Sequence, residues 1–99
     1  MLLFTHRSML DHQPPPGHAE HAGRLQAVLD ALENMPFERR EAPLADRTAL
    51  IRVHPERYIE ALEPAFEEAR SARVRLDPDT FISAGSREAT YRAAGACVA

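Results

Sequence analysis

The chain contains no lysine, a single cysteine, only six aromatic residues and no long apolar run. Each absence excludes something. All twelve basic residues are arginines, scattered along a chain of net charge −3. They form no basic stripe able to neutralise phosphates, which argues against direct nucleic-acid binding. One cysteine cannot make an internal disulfide, and such a chain suits a reducing compartment, so a cytoplasmic location is expected. Few aromatics, with much of the 44% apolar content in alanine, make a large self-contained core doubtful at this length. Met1–Arg7 is too short an apolar opening for a signal peptide, and no stretch approaches the roughly 20 residues of a membrane span. The chain also lacks a helix-stopping signal after Arg87–Ala99, with no terminal Gly, Asn or Pro beyond the last apolar positions. The expectation is that residues 1–99 are the incomplete amino-terminal part of a single larger domain.

What is present reads as alternating strand and helix. Four large apolar residues in Met1–Thr5 predict a short buried strand of the parallel-sheet kind. Pro14, Pro15, Pro16 and Gly17 then enforce a stiff loop, because three prolines fix φ and remove three donors. Leu25, Val28, Leu29 and Leu32 recur at one-face helical spacing, predicting a helix from about Glu20 to Asn34 that Pro36 ends. Phe37–Ala45 fits a short strand or a plain connection. Asp46 is a candidate N-cap for a short helix through Leu50, Ile51 and Val53. Pro55 and Glu56 suit the first turn of a further helix, with an apolar face of Tyr58, Leu62, Ala65, Phe66 and Ala69. Pro64 predicts a kink or a split in that helix. Val74 and Leu76 predict an extended segment, Asp77-Pro78-Asp79 a turn, and Ser86 the N-cap of a final helix in which Cys97 is a small buried hydrophobe.

Several residues invite a chemical reading beside a plain one. Asp11, His12, His18, Glu20 and His21 crowd a rigid loop after a strand, where binding groups often lie. A metal site using His12, His18 and His21 is one option, and solvated loop residues are the other. Arg24 puts a cation near a helix amino terminus, a mildly unfavourable place against the dipole unless it meets an anion or carbonyls elsewhere; the plain reading is a surface arginine. Asp77 and Asp79 form either a turn or a carboxylate held out for a ligand amide or amine. Ser83, Ser86 and His54 show no nucleophile-elbow pattern.

Three blocks in order then make a more specific statement. They are Asp11-His12 with Pro16-Gly17-His18-Ala19-Glu20 and Arg24-Leu25; Val53-His54-Pro55-Glu56-Arg57-Tyr58-Ile59-Glu60-Ala61-Leu62; and Asp77 through Ser86. Together they resemble the amino-terminal part of the histone deacetylase family. The likeness is strongest to its bacterial members, including the acetoin-utilisation and acetylpolyamine branches. The chain departs from the usual Gly-His-Pro-Glu-Arg-Pro-Glu-Arg at Ala19, His21, Ala22 and Gly23, and Ala84 stands where Pro is common.

The resemblance implies an arginase-like, three-layer α/β domain with a parallel sheet, helix-rich in this segment. It also implies zinc-dependent hydrolysis of the acetyl amide of an acetylated lysine or small acetylated amine. The family's histidine pair and zinc ligands match nothing in these residues, so the fragment alone is expected to be inactive and to supply no metal ligand. Carried over by position, Arg24 lines the inner channel by which acetate leaves. Asp79, with Asp77 as the competing alignment, binds substrate at the rim, and His18 belongs to the same rim. The alternative is a non-catalytic remnant or small helical interaction module that kept the family's front end.

Overall fold

The computed structural model describes residues 1–99. Strand β1 (Leu2–Thr5) leads into a short 3-10 turn (Arg7–Asp11), in which His6 Nδ1 accepts from the Ser8 amide at 3.1 Å. After the proline loop come helix α1 (Ala22–Leu32) and strand β2 (Glu38–Glu41). β2 lies parallel to β1, with Leu2 opposite Glu38 and Thr5 opposite Glu41. Parallel neighbours need a crossover connection, and α1 supplies it. β2 itself is Glu-Arg-Arg-Glu, exposed at every position, a composition that discourages pairing along its outer edge.

Helix α2 (Arg47–Ile51) begins under the Asp46 carboxylate, which accepts from the Ala49 amide at 3.0 Å as the N-cap reading requires. It stops before Val53. Helix α3 (Glu56–Ala69) starts one residue after Pro55, so the proline flanks the first turn rather than occupying it. Pro64 neither splits nor ends this helix. Its ring is exposed, and Ile59 on one side and Phe66 and Ala69 on the other bury the helix face, so packing holds a helix that has lost one internal hydrogen bond.

Strands β3 (Val74–Asp77) and β4 (Thr80–Ile82) form an antiparallel hairpin, irregular between Arg75 and Asp77, closed by Pro78 and Asp79. The extended reading of Val74 and Leu76 holds; the pairing with Thr80–Ile82 was not foreseen. Phe66, Ala69 and Ile82 make the buried cluster where α3 meets the hairpin, with Leu62, Ala65, Val74 and Tyr91 packed against it.

Helix α4 (Ser86–Val98) lies against the 3-10 turn, β1 and the chain leaving β2. Its seat is tight: a Cβ on Gly95 would run into the Pro43 carbonyl, and the Ala45 amide donates to the Tyr91 carbonyl at 2.9 Å. Ser86 is the first helical residue rather than the cap, and Gly85 before it offers no side chain. Capping falls to Ser83, whose carbonyl accepts from the Ser86 amide at 3.1 Å while its own amide donates to Ser86 Oγ at 2.7 Å. Cys97 is exposed, contrary to the buried reading, because the last turn of α4 extends past the surfaces it packs on.

Candidate functional site

The proline loop and the hairpin, distant in sequence, meet at one edge of the molecule. Gly17 adopts φ +82°, the left-handed region that glycine enters without steric cost, and His18 N–H closes the turn on the Pro15 carbonyl at 3.1 Å. That turn carries His18 across to the hairpin. Its Nδ1 accepts from the Glu20 amide at 3.0 Å, its Nε2 lies 2.9 Å from the Asp79 carbonyl oxygen, and its ring meets Phe81 edge-on at 5.6 Å. His18 and Asp79, two of the rim residues read from the sequence, are therefore direct neighbours.

The two aspartates of the turn do different things. Asp77 Oδ1 accepts from the Asp79 amide at 2.9 Å, an Asx-turn. This bond, joined by the Thr80 hydroxyl, holds the Asp77 carboxyl below its ordinary range. The Asp79 carboxylate has no hydrogen bond or ion pair, so it is the one available to a ligand.

A second knot ties the root of the loop to the start of α4. His12 Nδ1 and Ser86 Oγ are 2.6 Å apart, the Gln13 amide donates to Ser83 Oγ at 2.9 Å, and Ser83 Oγ reaches the Asp11 carbonyl at 3.2 Å. Arg73 adds a bond from Nε to the Gln13 carbonyl at 3.0 Å. Gly85 permits the approach, since a Cβ there would meet Asp11. Ser86 is wholly buried, so its contact with histidine anchors a loop and presents no nucleophile. Sequence reasoning missed this knot; the available signal was Ser83-x-x-Ser86, a relative of the capping box.

Arg24, in the first turn of α1, meets the anion its position calls for: Nη2 lies 3.2 Å from Glu20 Oε2, both side chains 69% exposed. It borders a cavity of about 190 Å³ together with Met9, His12 and Leu25. The last three also line an apolar cavity of about 360 Å³ that runs on toward Ala89, Thr90 and Ala93 of α4. Arg24 thus borders an open surface pocket beside α1, apart from the His18–Asp79 contact.

The three-histidine metal option fails on geometry. His12 is engaged by Ser86 and both nitrogens of His18 are committed. No group of three or more His, Cys, Asp or Glu side chains comes together that could hold a metal ion. The zinc implied by the family resemblance does not fit a ligand set in these residues.

The parallel pair linked by a crossover helix, with further helices packed around it, defines an α/β fold. A family model described as the histone deacetylase domain matches residues 18–99, and the chain belongs to that family. The crystal structure of the HDA15 HD domain matches 97% of this chain with a TM-score of 0.79 at 21% identity. The present chain spans 29% of that chain's length, and at this identity the likeness establishes the fold. Comparison with curated protein sequences returned no match.

Proposed function

We propose that residues 1–99 are the amino-terminal part of a single, arginase-like deacetylase domain of the bacterial branch. The reaction is zinc-dependent hydrolysis of the acetyl amide of an acetylated lysine or small acetylated amine, releasing acetate and the free amine. The observation that carries this reading is the Asp79 turn: a carboxylate left unpaired while its backbone is fixed by Asp77 and His18, on a family domain. A carboxylate so placed can accept a hydrogen bond from a substrate N–H or meet an amine cation.

In this reading Arg24 serves the departing acetate, and it lines a pocket together with Met9 and Leu25. Zinc ligands and the groups that move protons belong to other parts of the family domain. The single cysteine supports a cytoplasmic location.

The test is acetate release from an acetyl-lysine peptide and from an acetylated diamine by a protein carrying the whole family domain, supplied with zinc. Turnover on either supports the proposal and selects the substrate class. A folded, zinc-loaded protein that releases acetate from neither would return the chain to the non-catalytic reading.

A further inference from the structure

Only one tautomer of His18 fits its surroundings. An amide N–H points at Nδ1, from Glu20 at 3.0 Å, so that nitrogen carries the lone pair. The proton then sits on Nε2 and is donated to the Asp79 carbonyl at 2.9 Å. The Asp79 residue is gripped on both sides, its N–H by Asp77 and its carbonyl by His18, and only its side chain is unheld. Phe81 packs on the ring and limits its rotation.

We propose that His18 is a positioning residue, an acid-sensitive latch on the Asp79 turn. With the ring neutral, the rim carboxylate is held in place. A second proton puts a donor on Nδ1 against the Glu20 amide, two donors face each other, and the seat is lost. The inference rests on Asp79 being the residue that meets substrate.

The other charged or titratable groups of the two segments are Asp11, His12, Glu20 and His21 on the loop side, and Arg73, Arg75, Asp77 and Asp79 at the hairpin, with Arg73 spent on the Gln13 carbonyl and Asp11 lying in the Ser83–Ser86 knot. His12 is engaged by Ser86, Glu20 by Arg24, Arg75 by the Asp77 carbonyl, and Asp77 by the turn. His21 caps α1 without a side-chain bond. The unpaired Asp79 carboxylate is therefore the anion an imidazolium at position 18 would attract, which draws it away from a substrate cation or N–H.

The direct test is NMR of the ring nitrogens between about pH 5 and 8, the range in which histidines commonly gain their second proton, with the Asp79 and Thr80 amides followed in the same titration. The latch predicts the Nε2–H tautomer at neutral pH and amide shifts that share the ring's midpoint. His18→Gln, whose carboxamide can donate to the same carbonyl without titrating, should abolish that transition. His18→Ala should leave the two amides displaced at every pH.

A ring protonated on Nδ1 at neutral pH would overturn the proposal, as would amides that titrate alike in wild type and His18→Gln. In a hydrolysis assay, KM should rise about three- to tenfold on the acid side, the range of one hydrogen bond, and His18→Gln should flatten that rise. A protein showing the coupled titration but no hydrolysis supports the latch and refutes the function proposed above. An active protein whose ring and amides titrate independently refutes the latch alone.

Discussion

At the scale of single residues, the site turns on which polar groups are spent and which are free. Asp77 and Asp79 differ by two positions in sequence, yet one carboxylate stabilises the turn and the other is unpaired. The Asp-Pro-Asp turn was legible from composition, because Asx chemistry is local. The grip of His18 on Asp79 was not, because it joins positions sixty-one residues apart and no periodicity encodes it. Arg24 was legible as an anomaly of charge at a helix start, and its anion is Glu20, one turn earlier. So exposed a pair contributes at most about 0.5 kcal/mol to stability. Arg24→Ala should therefore leave the melting temperature nearly unchanged and lower kcat more than it raises KM; steady-state kinetics beside a thermal melt checks both, and unchanged kinetics would remove Arg24 from the acetate path.

At the scale of elements, local signals located nearly every helix, while packing decided details that propensity cannot reach. Asp46 capped its helix as its chemistry demands, whereas Pro64 was overruled by the buried residues on either side of it. Strand β2 was hard to read because its four residues are all charged and show no alternation of apolar and polar.

The joint between α3 and α4 is partly electrostatic. Arg87 reaches Glu63 from Nε at 3.0 Å, Tyr91 donates to Glu63 Oε1 at 2.8 Å, and the Arg87 guanidinium lies 4.6 Å from the centre of the Tyr91 ring. Hydrogen bonding from Arg87 is the main cause holding the Glu63 carboxyl below its ordinary 4.5. Burial, then Glu63, raises the Tyr91 phenol. The stabilisation from Glu63 is complete above its ordinary value and is lost as pH falls through the lower native one. With 40% of the Glu63 side chain open to water, it amounts to about 1 kcal/mol or less. Glu63→Gln should lower the melting temperature most at neutral pH, and melts repeated in acid should show the gap closing; a gap that widens in acid would contradict this assignment. Gly95→Ala tests the seat of α4 on Pro43. The added methyl must push helix and backbone apart, at a cost of about 1–3 kcal/mol, which denaturant titration can read.

At the scale of the whole molecule, only ten of ninety-nine residues are buried, and Val28, Leu44, Tyr58 and Leu76 are among the large apolar side chains left exposed. The Cα radius of gyration of 14.4 Å exceeds the roughly 13 Å of a compact chain this long. The molecule is a flattened body, 20 Å through its shortest dimension. A thin core was legible from the scarcity of aromatics and the abundance of alanine. The parallel pair was half legible, since the first strand shows in the sequence and its partner does not.

The most direct measurement is the kinetics of Asp79→Ala in a zinc-supplied protein carrying the whole family domain, acting on an acetylated amine. The predicted result is acetate release with KM raised by about 1–3 kcal/mol of lost binding and kcat largely kept. A wild-type KM and turnover in that variant, or no acetate from the parent protein, would contradict the account.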